Sequence, residues 1–286
     1  MSWAAHELES YVLQKHLRLP MSFTAVLLGC LLPDLFTKLP VYGLNIGDLT
    51  YLRVTNPALY HRGWPGVGMT HSLLFGVGVS LVVLAVFRSR AWALGLLVGQ
   101  WAHAVSDTFD TAGTMLLFPF STQHVSFGMW AYAGHAGHYG DATAYYSGLG
   151  AVWDIGWLVI AGAGFAALSG RYFATAVEPA DPTWAWIRRR FTPSPVALRA
   201  LYRAFFVYGA CRIVAWMLRA RVLNPARGEQ PFDLSWGGPS WVDAARFPAE
   251  SWADFARSMA VGVAGLSVTL VLVWQLFGRR LWLRAG

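Results

Sequence analysis

Long uncharged segments, each followed by arginine, constrain this 286-residue chain more than any other feature. Met259–Phe277 holds 19 uncharged residues before Arg279, and Ser72–Phe87 holds 16 before Arg88. An α-helix of about 20 residues crosses the hydrocarbon core of a bilayer. Charged residues make up only 13% of the chain, against about 25% in soluble domains. The pattern predicts an integral membrane protein and argues against a disordered chain, a secreted disulfide scaffold and a soluble globular protein.

Other apolar segments extend this prediction. Three more candidate membrane helices are Ala91–Ser106, Ser147–Ser169 and Tyr202–Leu218. The first forty residues are typical of a helical hairpin, because Leu19-Pro20 separates the amphipathic segment Trp3–Leu17 from the apolar segment Met21–Phe36. We therefore expect an all-α fold, a polytopic membrane helix bundle of about five to seven membrane helices that includes this hairpin.

The charges predict an orientation. The chain has 22 basic and 15 acidic residues, a net charge of +7. Arginines flank the apolar segments, which indicates cytoplasmic anchoring, and we expect no nucleic acid partner. Twelve basic residues fall on one side and eight on the other, while residues 106–146 contain none. This bias places the N-terminus outside and the C-terminus inside. Cys30 and Cys211 lie in apolar segments and are expected to be core residues.

Histidine and aspartate collect at one end of the predicted bundle. Seven of the eight histidines fall on the outside half in this topology. The start of one helix and the end of its antiparallel partner lie together, so helix ends gather five side chains: His6, Asp34, His71, His103 and Asp107. Two of them, His103 and Asp107, are four residues apart and share a helix face. Asp110 shares this face if the helix continues.

These side chains are the ligand set expected for a divalent metal. Neutral imidazole and carboxylate suit Zn²⁺, with manganese or iron as alternatives. Asp34, His71, His103 and Asp107 would complete a tetrahedral site, and His6 could begin a second site with Asp107 as a bridge. One or two ions are therefore expected. A two-metal centre suits phosphoester hydrolysis.

Plainer interpretations stay open at this stage. A lone histidine at a helix end is commonly a cap or an interfacial residue, and Asp34 after Pro33 can begin a turn. Convergence at one membrane face favours a metal site, because unpaired ionisable groups are costly beside lipid. Asp154 lies inside an apolar segment and is expected to pair with Arg203 or Arg212.

Several short motifs surround these residues. They are Leu-Leu-Pro-Asp (31–34), His-Arg-Gly (61–63), Thr-His-Ser-Leu-Leu (70–74) and a spaced set from Gly99 through Asp110-Thr111 to Pro119-Phe120-Ser121. Over about residues 1–130 the chain resembles the bacterial membrane-bound metal-dependent hydrolases, the YdjM-like inner-membrane proteins. The resemblance implies a bacterial inner-membrane location, and we expect the site on the extracytoplasmic face.

The order of the ligands is also similar, more distantly, to zinc-dependent phospholipase C and the S1/P1 nucleases. That similarity implies one zinc among four ligands and a neighbouring zinc at His6 and Asp107. The four ligands are Asp34, His71, His103 and Asp107.

Residues beside the predicted ligands are candidates for catalysis. His61 and Arg62 could hold a phosphate, since arginine offers a two-pronged donor to its oxygens, although an interfacial arginine is an equal alternative. Asp110 is a candidate general base, or a partner that orients a ligand histidine. Thr70 and Thr111 are candidate hydrogen-bond donors. A further metal site, or simply a surface loop, is predicted at His124, His135, His138 and Asp141.

The predicted function follows from this site. We expect residues 1–146 to form a helical core with the metal site, and residues 147–286 to add membrane helices and a long extracytoplasmic loop over about 220–257. The core is expected to be a membrane-embedded metal-dependent hydrolase, a phosphoesterase for a lipid or lipid-linked substrate. A metal or proton transporter is an alternative, although its polar groups should follow a path through the bilayer. A non-catalytic, metal-stabilised scaffold is a third possibility.

Overall fold

The structure is a computed structural model that describes most of the chain. The described residues are 2–35, 43–51, 53–54, 57–64, 66–130, 142–163, 168–222, 231–236 and 240–242, with isolated positions between 253 and 276. Three predicted features lie wholly or mostly outside them: the loop residues His135, His138 and Asp141, the loop over about 220–257, and the segment Met259–Phe277.

Helices form most of the described chain. The first five are α1 (Trp3–His16), α2 (Phe23–Leu35), α3 (Pro57–Arg62), α4 (Leu73–Phe87) and α5 (Arg90–Ser106). The next six are α6 (Ala142–Tyr146), α7 (Leu149–Ala163), α8 (Gly170–Tyr172), α9 (Glu178–Ala180), α10 (Pro182–Phe191) and α11 (Pro195–Arg221). Two 3₁₀ helices, Val67–His71 and Asp107–Phe109, flank α4 and α5, and a π-helix covers Phe173–Val177. The predicted N-terminal hairpin is confirmed as α1 and α2.

The predicted all-α fold is corrected in one respect: the described residues include four short strands, which form two antiparallel pairs. β1 (Leu44–Ile46) pairs antiparallel with β2 (Leu49–Tyr51) across a Gly47-Asp48 turn. Gly47 has a positive φ of 60°, a conformation that a glycine adopts without steric cost. β3 (His124–Ser126) pairs antiparallel with β4 (Ser240–Val242) and so ties a distant segment to the site region. The fold is mostly helical rather than purely helical.

A close contact between α2 and α5 positions the candidate site. A Cβ atom built on Gly99 would lie 2.2 Å from the carbonyl oxygen of Val26, and one on Gly29 would lie 2.6 Å from that of Leu96. Glycine at both positions lets the two backbones touch. The carboxyl end of α2 and the last turn of α5 are thereby held side by side.

The largest hydrophobic core joins the two halves of the chain. Side chains of α1 and α2, such as Leu8 and Phe23, pack with Phe173 and with Tyr202 of α11. Tyr11 of α1 donates a hydrogen bond to the carbonyl oxygen of Tyr202. The predicted boundary between residues 146 and 147 therefore crosses one continuous core, and the two-domain division stays a prediction.

Within the described residues, α11 is the one helix long and apolar enough to cross a bilayer. The apolar helices α2, α4 and α7 have 13 to 15 residues, fewer than the about 20 that a crossing needs. Val82, Val86 and Phe87 of α4 are nonetheless 62%, 67% and 69% exposed. An apolar helix face left uncovered in this way is typical of contact with lipid.

Candidate metal centre

Six ionisable side chains form two adjoining groups at the end of the hairpin. His6, His103 and Asp107 make up the first group, and Asp34, His61 and His71 make up the second. Within each group the candidate ligand atoms all lie within 4.8 Å of one another, and all six residues are buried. The five predicted ligands are therefore brought together, and His61 joins them.

Distances between the clustered side chains are close to those expected between the ligands of a metal ion. The Nε2 atom of His103 lies 3.1 Å from Asp107 Oδ2 and 3.8 Å from Asp34 Oδ1. The Nε2 atom of His71 lies 3.6 and 3.9 Å from the same two oxygens. Ligand atoms of a tetrahedral zinc site, with bonds of 2.0–2.1 Å, lie about 3.3 Å apart. The four residues enclose a space of nearly that size.

In three of the clustered histidines, His6, His71 and His103, the Nδ1 atom faces an acceptor. His103 Nδ1 lies 2.6 Å from the carbonyl oxygen of Cys30, which can only accept, so Nδ1 carries the proton. His6 Nδ1 lies 3.1 Å from the carboxylate of Glu9. His71 Nδ1 lies 3.2 Å from Thr70 Oγ1, whose own hydrogen is used on the carbonyl of Val67 at 2.7 Å.

This arrangement leaves the Nε2 atoms of His71 and His103 as electron-pair donors. In a neutral ring with a protonated Nδ1, the Nε2 atom has a free lone pair. The Nε2 atoms of His71 and His103 are buried and make no hydrogen bond among the described residues, although both face carboxylate oxygens. Two sets of lone pairs facing each other repel, and a cation between them turns the repulsion into attraction. The donor set thus fits a divalent metal.

The charges around Asp107 and His71 also favour a metal site. Burial opposes the charged form of Asp107, but the nearby Arg62 guanidinium and His103 outweigh it and hold the pKa of that carboxyl well below its usual value. Burial, with the positive charge of Arg62 added to it, holds the pKa of His71 well below its usual value. A carboxylate beside a neutral imidazole is the protonation state that a metal requires.

Comparison with known proteins identifies the family. The model of the YdjM inner membrane protein family matches residues 5–180. The chain belongs to the YdjM inner membrane protein family. No curated protein and no solved structure matches it. The predicted family and inner-membrane location are thereby confirmed, while the distant similarity to phospholipase C and nucleases stays a hypothesis. All six clustered residues lie inside the matched range, and α11 lies beyond it.

In this YdjM-family protein, His61 and Arg62 occupy different environments although they are adjacent in sequence. His61 is a candidate for holding phosphate, and its Nε2 atom lies 3.4 Å from Asp34 Oδ1, within the cluster of candidate ligands. Arg62 Nη2 lies 2.8 Å from Asp107 Oδ2 and 3.1 Å from Asp110 Oδ2. Arg62 therefore faces the carboxylates of the site with a buried guanidinium.

Asp110 reaches the site by a different route from the one expected. Because α5 ends at Ser106, a continued helix face does not carry Asp110 to the cluster. Its Oδ1 instead accepts the backbone N–H groups of Ala112 and Gly113, at 2.9 and 2.8 Å, and its Oδ2 accepts from Arg62. Burial raises the pKa of Asp110 against the opposing charge of Arg62. This geometry positions the Arg62 guanidinium. The two predicted roles of Asp110, general base or partner that orients a ligand histidine, stay predictions.

Sequence reasoning missed two side chains that support the cluster. Glu9 is buried and accepts from Ser106 at 2.8 Å while holding His6; its spacing of three residues from His6 was the available signal. Gln100 donates to the carbonyl oxygens of Thr70 and Ser72, at 2.8 and 3.0 Å, and so fixes the turn that carries His71.

The remaining predicted residues have other partners. His124 is buried on β3 with Nδ1 3.1 Å from the carbonyl of Ala112. Asp154 was expected to pair with Arg203 or Arg212. Among the described residues it instead accepts hydrogen bonds from Tyr145 and Tyr146, at 2.7 and 2.9 Å. The prediction was wrong because the last two residues of α6, Tyr145 and Tyr146, donate to both carboxylate oxygens of Asp154. The two arginines bond elsewhere: Arg203 donates to the carbonyl of Leu168, and Arg212 pairs with Glu7.

Proposed function

We propose that this protein is a membrane metal-dependent hydrolase that cleaves a phosphoester of a lipid or lipid-linked substrate. The observation that carries the proposal is the set of inward Nε2 lone pairs that face two carboxylates in a buried site. Zinc is the preferred ion, with manganese or iron as alternatives. One ion would be held by Asp34, His71, His103 and Asp107, and His6 and His61 are additional ligands on either side.

A bound divalent ion would supply an activated water and neutralise negative charge on a phosphoester. The chain's own residues supply positioning. Arg62 carries a fixed positive charge beside Asp107, where it can hold a phosphate oxygen. Asp110, anchored by two backbone N–H groups, keeps the Arg62 guanidinium in place. Burial of the site excludes bulk water and strengthens both interactions.

An apolar turn beside the site supports a lipid substrate. The turn lies between Asp110 and β3, and its residues Leu117 and Phe120 are 50% and 87% exposed. The backbone N–H of Leu73, two residues after His71, donates to the carbonyl oxygen of Leu116 at 3.0 Å. An exposed phenylalanine at a turn tip is suited to entering the acyl boundary of a bilayer. The site would then meet its substrate at the lipid surface.

The topology is part of the proposal. About five to seven membrane helices, with the N-terminus outside, would place the cluster on the extracytoplasmic face. A reporter fused after residue 130 tests this placement: an extracytoplasmic signal supports it, and a cytoplasmic signal contradicts it.

The function is tested by metal content together with hydrolysis. The purified full chain should contain stoichiometric metal and should cleave a phospholipid in mixed micelles. His103→Ala should lose both, because it removes a ligand from the centre of the cluster. His16→Ala is the matched control, since His16 is an exposed histidine at the opposite end of α1. Metal without hydrolysis of any phosphoester would favour the scaffold interpretation, and a metal-free protein would refute the proposal.

A further inference from the structure

A cavity of about 790 Å³ lies away from the metal centre, between the segment 170–179 and the helices α10 and α11. Three arginines line it, Arg188, Arg189 and Arg199, together with one carboxylate, that of Glu178. Its apolar lining includes Phe173. A volume of this size accommodates a lipid headgroup and its glycerol.

The charge in this cavity is not balanced. Arg188 Nη2 lies 2.6 Å from Glu178 Oε1, so this arginine is neutralised. Among the described residues, Arg189 and Arg199 pair with no carboxylate. Two guanidinium groups therefore line the same cavity without a carboxylate counter-ion from the described part of the chain. Arginine binds phosphate oxygens through paired N–H donors, which makes a phosphate the expected counter-ion.

The position of the cavity in the fold indicates where that phosphate belongs. Pro195, the first residue of α11, lines the cavity, and α11 is the helix long enough to cross a bilayer. The cavity thus lies where a crossing helix reaches the headgroup layer. The N-terminus of α11, which is the positive end of its helix dipole, lies beside the cavity and favours an anion there. Trp186 of α10 is 43% exposed, as expected of an aromatic side chain at a membrane interface.

We propose that the cavity lined by Arg189 and Arg199 binds the headgroup phosphate of an anionic phospholipid. This site is separate from the metal centre and does not depend on the proposed hydrolysis. The Arg199 guanidinium lies against Gly170: a Cβ atom there would lie 2.1 Å from Arg199 Nη1, so an alanine would have to shift this guanidinium.

The experiment measures lipid binding by the delipidated full chain in a neutral detergent. The probes are short-chain phosphatidylglycerol, short-chain phosphatidylcholine and inorganic phosphate. Phosphatidylglycerol should bind most tightly. Arg189→Gln with Arg199→Gln should weaken it at least about tenfold, since each charged hydrogen bond contributes about that factor. Arg88→Gln with Arg90→Gln is the matched control; it removes the same charge from another turn and should leave binding unchanged.

Gly170→Ala keeps every charge and separates geometry from electrostatics. It should weaken phosphatidylglycerol binding by displacing Arg199, and it keeps the test decisive if the double variant does not fold. Three results would overturn the proposal: equal loss in the Arg88 and Arg90 control, binding of inorganic phosphate as tight as that of the lipid, or unchanged lipid binding in Gly170→Ala and the double variant.

Discussion

The contact between α2 and α5 predicts that one methyl group, added one helical turn before His103, should disrupt the proposed metal centre. In Gly99→Ala the new Cβ atom would lie 2.2 Å from the carbonyl oxygen of Val26 and 2.8 Å from the backbone nitrogen of Cys30. Backbone atoms cannot rotate away as a side chain does. Reaching an ordinary contact of 3.4 Å therefore requires the helices to separate by 1.2 Å, the difference from 2.2 Å.

That separation is enough to release His103. Its Nδ1 lies 2.6 Å from the carbonyl oxygen of Cys30, so the same 1.2 Å movement would lengthen this bond to 3.8 Å. A hydrogen bond does not survive at that distance. Loss of a partner that orients a ligand histidine costs about 10- to 100-fold in metal affinity. The overpacking itself should lower the free energy of unfolding by about 1–3 kcal/mol.

The assay is zinc affinity by competition with a chelator, alongside thermal unfolding followed by circular dichroism in detergent. Gly78→Ala is the matched control, because it is also a helical glycine and a Cβ atom there would meet nothing within 4 Å. The control should keep wild-type affinity. Wild-type zinc affinity in a folded Gly99→Ala protein would refute the link between helix separation and the site.

Three further predictions concern supporting residues. Arg62→Lys should keep the metal but lower phosphoester hydrolysis about 100-fold, measured as kcat, because lysine cannot contact a phosphate with paired donors. Glu9→Gln should weaken zinc binding about tenfold, measured by the same competition, since it removes the carboxylate that orients His6; unchanged binding would mean that His6 is not a ligand. Arg212→Gln should lower the unfolding free energy by about 2 kcal/mol in denaturant titration, because Glu7 would stay partly buried without its ion pair at 2.6 Å; Glu7→Gln with Arg212→Gln should recover part of this loss.

Helix patterning and the membrane class could be read from the sequence. The proline break at residues 19–20 and the apolar segments on either side of Arg88 placed α1, α2, α4 and α5 within a few residues of their observed bounds. Helix ends then gathered five candidate ligands without tertiary information, because an antiparallel hairpin brings a start and an end together. Asp34, His71, His103 and Asp107 lie within contact distance for that reason.

Details of the site depended on contacts that periodicity does not encode. His61 and Arg62 were candidates for holding phosphate as a pair, and spacing did not indicate that the His61 ring also lies 3.4 Å from Asp34 Oδ1. Asp110 reaches Arg62 through a turn with backbone N–H donors, since α5 stops four residues earlier. A pattern of spacing describes one helix face and carries no information about a turn that follows it.

The sequence alone determined that this chain is a membrane protein with imidazole and carboxylate groups at one end, because hydrophobicity and charge act locally and repeat along helices. Only the tertiary structure decided which nitrogen of each histidine faces inward. That choice depends on distant acceptors such as the carbonyl of Cys30, which lies 73 positions from His103 in the chain. The close approach of α2 and α5 at their glycines brings Cys30 and His103 together. Their contact fixes which nitrogen of His103 faces the carboxylates.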